Sequence, residues 1–295
     1  MLRLFQDYLE LTKPKVVLLM LLTTWVGMLL AAPPDNPPWK LMFLSTIGIA
    51  FCAGAAAIFN HLIDRKIDTL MKRTHNRPIA KGRISVTKAL SFSLVLALLG
   101  LFILAFYVNP LTAVLTAGTV LGYAIVYTIF LKHTTPQNIV IGGLAGATPP
   151  LLGWTAITND LHAHALLLVL IIFAWTPPHF WALAIYKHHE YAKAKVPMLP
   201  VTHGIPFTKL NITLYTILLM SCTVLPFLAG FMGWIYLISC SLLGCVFLGF
   251  VLVLYKSSDP KIALQTFLYS IFYLMALFIS LLLDHYCVYF IKSTL

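Results

Sequence analysis

Asn60-His61-Leu62-Ile63-Asp64-Arg65-Lys66-Ile67-Asp68 is a polar stretch at the end of a strongly apolar run, followed by Lys72, Arg73, Thr74, His75, Asn76, Arg77, Pro78 and Lys81. If the helix of residues 41–59 continues through it, Asn60, Asp64 and Asp68 fall at i, i+4 and i+8. They then rise about 6 Å per step within an arc of roughly 80°, forming one oxygen-lined stripe. Such a stripe suits Mg2+, a hard cation usually held by one or two carboxylates together with substrate phosphates. The basic residues that follow would neutralise a diphosphate. A plainer reading is a polar helix end at a membrane surface, with Asp64 and Asp68 paired locally to Arg65, Lys66 or Lys72.

Working outward, the chain is 60% hydrophobic and 10% charged over 295 residues, with a mean hydropathy of +0.90. A water-soluble domain carries about 25% charged residues, so this is read as an all-α, polytopic membrane protein. Apolar runs long enough to cross a core of about 30 Å fall at 16–32, 41–59, 89–108, 111–131, 138–157, 164–186, 210–231, 234–255 and 262–283. With the N-terminus inside, all the Lys and Arg except Lys40 and Lys292 lie on one face, as retention of basic loops on the cytoplasmic side requires. The C-terminus then lies on the opposite side. Topology accounts for much of the net charge of +11, and no nucleic-acid partner is expected. The five cysteines lack metal-ligand spacing and read as small core residues. Asp7 and Glu10 ahead of the first apolar run argue against a signal or transit peptide, so a bacterial inner membrane is the expected home.

The chain reads as one domain over 1–295. Residues 1–14 form an interfacial segment ending at Pro14, and residues 60–88 and 187–209 form two polar cytoplasmic loops. These loops leave helices two and six on the same face, which suggests a loose duplication with both overhanging one cavity. Tyr123 and Tyr127 sit at i and i+4 near the cytoplasmic end of helix four. They read either as core aromatics or as walls where a prenyl chain enters. Gly142 and Gly146 make a small-xxx-small packing face. In helix six, Pro177-Pro178 should kink or interrupt the helix. His179 beside them is either satisfied by the freed carbonyls or a haem ligand. His188 and His189 beside Glu190 point about 100° apart on a helix and do not make a metal site.

Asn60-xxx-Asp64-xxx-Asp68, Arg-Thr-His-Asn-Arg-Pro at 73–78, Pro-His-Phe-Trp-Ala-Leu-Ala at 178–184, and Glu190-Tyr191 leading to Pro197-Met198-Leu199-Pro200 resemble the protohaem IX farnesyltransferase branch of the UbiA-type intramembrane prenyltransferases. The similarity extends over nearly the whole chain. It implies a bundle of nine transmembrane helices around a central cavity, covered by the two polar loops. It also implies transfer of a farnesyl group from farnesyl diphosphate to a vinyl group of haem b, with water supplying a hydroxyl, to give haem O. Haem b is then a substrate rather than a cofactor.

Carried over by position, Asn60, Asp64 and Asp68 match the first Mg2+-diphosphate motif and Glu190 the acidic position of the second, making these four the expected metal ligands. A full second Asp-xxx-Asp pair is absent: Ala194 and Tyr186 stand four residues either side of Glu190. One carboxylate plus lysines is expected there. The expected catalytic residues are Asp64, Asp68, Arg73 and Arg77. Expected at the substrate are Asn60, Arg65, Lys72, Asn76, Tyr123, Tyr127, His179, Trp181, Glu190 and Lys195, with Phe180 a further aromatic candidate. A haem A synthase or terminal-oxidase assembly factor is the partner the resemblance suggests.

Two rival readings remain. A UbiA-type enzyme acting on an aromatic quinone precursor would share the first motif. A haem or ion transporter would also place charges and a broken helix in a membrane, but its ionisable residues belong near the midplane.

Overall fold

The protein is described by a computed structural model covering residues 2–70 and 74–294. Lys72 and Arg73, two of the cations expected to hold a diphosphate, lie outside the described residues. Within them the chain is helical, and nine helices are long and apolar enough to cross a membrane: Pro14–Ala31, Trp39–Asp68, Val86–Val108, Pro110–Thr128, Asn138–Thr158, Ala163–Tyr186, Ile205–Leu228, Trp234–Lys256 and Pro260–Phe290. They are called the first to ninth spans below. Because successive spans run antiparallel, Lys13, Asp68, Val86, Thr128, Asn138, Tyr186, Ile205, Lys256 and Pro260 all come to one end. That end carries the site.

Local chemistry sets where the spans begin. Pro14, Pro110 and Pro206 stand in first turns, where a missing N–H costs nothing. The Asn109 side chain accepts from Thr112 N (2.8 Å) and donates to Thr155 O (2.9 Å), capping the fourth span while tying it to the fifth. The seventh span starts at Ile205 rather than near 210, because Gly204 at φ 83° turns the chain directly into a helix.

Small residues let backbones touch. A Cβ on Gly27 would strike Pro150 O and one on Gly153 would strike Thr24 O, so the first and fifth spans meet main chain to main chain. Gly48 and Gly100 do the same for the second and third spans. Large exposed apolar residues such as Leu98, Phe102, Phe106 and Leu242 face outward, as suits a chain solvated by lipid. All five cysteines are free thiols.

Three expectations change. The sixth span is one unbroken helix through Pro177 and Pro178. The prolines remove two donors, but packing against neighbouring spans holds the helix, with Trp175 Nε1 donating to Ser270 O at 2.8 Å. The break falls instead in the fifth span, which divides at Thr148 into Asn138–Ala147 and Pro149–Thr158. Gly142 and Gly146 do not act as a pair: Gly142 accommodates the Tyr127 ring, whereas a Cβ at Gly146 would meet nothing within 4 Å.

The N-terminal helix Leu2–Leu11 is more than an anchor. Its exposed Leu4, Phe5 and Leu9 suit an interface. Its other side packs Leu11 with Ile58, Leu62, Ile79 and Ile84, and Asp7 accepts from Arg83 Nε at 2.9 Å. It therefore braces the loop that follows the acidic stripe.

Candidate active site

The second span runs as a single helix from Trp39 to Asp68, so Asn60, Asp64 and Asp68 do form one stripe, and all three side chains are buried. Asn60 Nδ2 donates to Asp64 Oδ2 at 2.8 Å. The stripe's cationic partners are not its sequence neighbours. Lys13 Nζ donates to Asn60 Oδ1 at 2.5 Å, Lys132 pairs with Asp64 Oδ2, and Arg77 Nη1 lies 2.8 Å from both oxygens of Asp68. Thr74 Oγ1 donates to Asp68 O at 3.1 Å and fastens the loop to the helix end. Local pairing with Arg65 or Lys66 does not occur: both are exposed, and Arg65 Nη1 donates to Leu62 O.

Buried ion pairs are weak evidence for stability, because desolvation offsets the attraction. Ionisable groups inside a membrane protein read instead as functional. Two oxygens strengthen that reading. Among the described residues, Asp64 Oδ1 and Glu190 Oε2 are buried without a hydrogen-bond partner, although Glu190 Oε1 receives Lys187 Nζ at 2.8 Å. An unpaired carboxylate oxygen is costly unless a ligand completes it. Among the described residues no three His, Cys, Asp or Glu side chains could hold a metal by themselves.

The electrostatic balance shows in Lys13. Burial above all, with Arg77 and Lys132, lowers its pKa from 10.5 to about 7, against the opposing pull of Asp64 and Asp68. Lys13 also holds a left-handed backbone at φ 52°, uncommon for a side chain of this kind, directly before Pro14 opens the first span.

A widened helix places Lys132. Residues Gly122–Leu131 adopt π-type hydrogen bonding, with Lys132 N bonded to Tyr127 O five residues back. A π turn sets i and i+5 on one face, so Tyr127 and Lys132 share a side of the segment. Tyr123 and Tyr127 stack with ring centroids 5.4 Å apart.

The remaining expected residues divide. His179 is buried, its Nδ1 2.7 Å from Ser270 Oγ, so a hydroxyl of the ninth span satisfies it rather than the carbonyls freed by proline. Trp181 is sealed against the edge of Tyr215, while Phe180 is 41% exposed and stands edge-to-face to His179. Asn76 and Lys195 are exposed. Sequence reasoning missed Lys13 and Lys132, which stood only among the topological charges. It also missed His61, which is buried with neither ring nitrogen hydrogen-bonded. Its place is readable after the fact: on a helical wheel it falls about 20° from Asp68.

With the geometry in hand, the chain matches the UbiA prenyltransferase family over residues 20–282. It is 60% identical over 282 residues to a protoheme IX farnesyltransferase of Teredinibacter turnerae, covering 96% of this chain and 90% of that one. It is 59% identical over 285 residues to one of Legionella pneumophila, covering 96% of each. Among solved structures it is similar to a digeranylgeranylglyceryl phosphate synthase (TM-score 0.80, 19% identity, 95% of this chain and 98% of that one). It is also similar to an Archaeoglobus fulgidus UbiA homologue bound to GPP and Mg2+ (TM-score 0.63, 17% identity, 93% and 99%). At those identities the structural likeness speaks for the fold.

Proposed function

The chain belongs to the UbiA prenyltransferase family, and we propose that it transfers the farnesyl group of farnesyl diphosphate to a vinyl group of haem b, with addition of water, giving haem O and diphosphate. The observation that carries this is the buried Asn60-Asp64-Asp68 stripe, faced by Lys13, Arg77 and Lys132 at one end of a nine-span bundle. The acceptor follows from relatives about 60% identical over nearly the whole chain. A transporter is disfavoured because these charges gather at one end rather than at mid-depth.

In this reading Asn60, Asp64, Asp68 and Glu190 hold Mg2+, and the partnerless oxygens of Asp64 and Glu190 supply open coordination. The metal, when bound, offsets the charge that develops on the departing diphosphate. Arg77 grips the remaining phosphate oxygens bidentately, and Lys132 and Lys13 act as point charges. The exposed Arg65, Asn76 and Lys195 are proposed to meet the diphosphate as it enters. Fixed cations aimed at developing negative charge usually supply the largest share of such catalysis.

As the carbon–oxygen bond of the substrate breaks, positive charge spreads over the allylic carbons. The stacked faces of Tyr123 and Tyr127 flank it, a contact worth about 2 kcal/mol when desolvated. The haem vinyl group supplies the electron pair for the new carbon–carbon bond. Water adds to the cation left on the haem side and releases a proton. No side-chain nucleophile is required.

The chain is proposed to act as one domain with an interfacial N-terminal segment; the active-site segments expected as loops at 60–88 and 187–209 are partly helical, since the second span runs to Asp68, the third starts at Val86 and the seventh at Ile205. We place it in a bacterial inner membrane with that end cytoplasmic and the C-terminus opposite, handing haem O to a haem A synthase or a terminal-oxidase assembly factor. Incubating membranes with farnesyl diphosphate and either haem b or 4-hydroxybenzoate, then measuring product mass, tests the reading. A haem mass gain equal to farnesyl plus water is expected; prenylated 4-hydroxybenzoate with unchanged haem would overturn it.

A further inference from the structure

We propose that His179 binds the iron of the haem substrate through Nε2 and that Ser270 sets the tautomer that makes this possible. The inference rests on haem being the acceptor, but its evidence is separate.

Ser270 Oγ lies 2.6 Å from Phe267 O and donates to it. A hydroxyl has one proton to give, so toward His179 Nδ1, 2.7 Å away, the same oxygen is the acceptor. The proton therefore sits on Nδ1, and Nε2 carries the lone pair. A metal-binding histidine is held in the same way, its second ring nitrogen donating to a fixed acceptor that sets tautomer and orientation.

The ring is also fixed in plane. Trp175 stacks on it at 4.2 Å and Phe267 at 4.6 Å. Phe180 stands edge-to-face to the ring at 5.0 Å, and Nε2, unlike both nitrogens of His61, is not among the fully buried partnerless atoms, so it keeps accessible surface. Among the described residues Nε2 has no hydrogen-bond partner. His61 is the contrast: both its nitrogens are sealed and partnerless, so it presents no open edge.

Depth agrees. His179 precedes Tyr186 by seven residues, about 10 Å along the helix, at the end of the bundle that holds the stripe. An apolar porphyrin ligated there lies within the membrane while diphosphate stays at the polar mouth. Of the other histidines, His162 and His164 follow the outer end of the fifth span, and His75, His189 and His203 are exposed.

The test uses the purified full chain in lipid nanodiscs titrated with haem b. Wild type is expected to give the absorption and EPR spectra of a nitrogen-ligated haem. His179→Ala is expected to lose that signature and bind haem at least tenfold more weakly, with added imidazole restoring the spectrum. Ser270→Ala, which keeps the ligand but removes its acceptor, should retain nitrogen ligation with a shifted iron–histidine stretch in the ferrous Raman spectrum. Retained farnesyl diphosphate binding by His179→Ala shows that the variant is folded. A wild-type spectrum without a nitrogen ligand, which needs no variant, would overturn the proposal, as would a His179→Ala spectrum identical to wild type. Haem O formed by wild type alongside that identity leaves the farnesyl transfer standing and removes only the ligand. His179-dependent ligation without haem O does the reverse.

Discussion

Arg77 Nη1 stands 2.8 Å from both carboxylate oxygens of Asp68, nine residues ahead of it and across the turn that follows the second span. One cationic nitrogen thus holds both oxygens of the last carboxylate of the stripe. Asp68→Ala and Arg77→Ala are each expected to reduce farnesyl transfer by about 10²–10³-fold, the scale set by removing one preorganised electrostatic contact. Arg77→Lys keeps the charge but loses the fork and should fall between. Haem O production per folded protein is the measurement; unchanged turnover in Asp68→Ala removes the carboxylate from the site.

Removing divalent metal should stop the reaction reversibly. In the proposed site a cation and substrate phosphates would complete Asp64 Oδ1 and Glu190 Oε2, which have no hydrogen-bond partner among the described residues. Chelation should therefore abolish turnover and weaken farnesyl diphosphate binding, and Mg2+ should restore both. Asp64→Asn should raise the Mg2+ concentration for half-maximal rate about tenfold. Full activity in chelator would exclude the metal role.

Lys13 gives a pH signature. With its pKa held near 7 by burial and by Arg77, the side chain is charged below that value and loses its charge as pH rises through it. Attraction for a diphosphate should weaken in the same direction. KM for farnesyl diphosphate is expected to rise above pH 7 in wild type, and the rise should flatten in Lys13→Met. At pH 6 Lys13→Met should show a KM about tenfold higher than wild type. Parallel pH profiles for the two proteins would show that Lys13 does not face the substrate.

Much of this arrangement was legible in the chain itself, and the exceptions have physical causes. Span number and order follow from hydropathy, because lipid rewards one kind of surface all round. The stripe follows from helical period alone, since Asn60, Asp64 and Asp68 sit on one continuous helix. Its partners Lys13 and Lys132 lie 47 and 68 residues away, and no local pattern encodes which topological charge turns inward. The widened turn at Gly122–Leu131 was hidden for another reason: a π insertion shifts the register by one residue, so a 3.6-residue period misassigns the face of Lys132. The interruption expected at Pro177 and Pro178 does not occur: proline predicts lost donors, and only the packing of neighbouring spans decides whether the helix survives.

Gly142 and Gly146 separate packing from mere smallness. A Cβ at Gly142 falls into the Tyr127 ring, whereas one at Gly146 meets nothing. Gly142→Ala should displace Tyr127 from its stack with Tyr123 and lower turnover about tenfold, while Gly146→Ala should leave it unchanged. Equal effects from the two substitutions would mean that Tyr127 does not act at the site.

The final prediction concerns stability at the far end. Asp284, buried in the ninth span, accepts from Gly233 N at 2.5 Å and from Tyr236 N at 3.1 Å, so it caps the first turn of the eighth span from another helix. The first N–H groups of a helix have no internal acceptor, and among lipid chains there is little water to replace a lost one. Asp284→Ala should therefore cost about 2 kcal/mol, the upper range for a lost cap, seen as a lower unfolding midpoint in detergent. Asp284→Asn keeps one carbonyl acceptor and should lose about half as much. Because the cap lies away from the acidic stripe, the folded fraction of either variant should retain wild-type turnover; a variant of full stability but low activity would show that this end of the bundle contributes to catalysis instead.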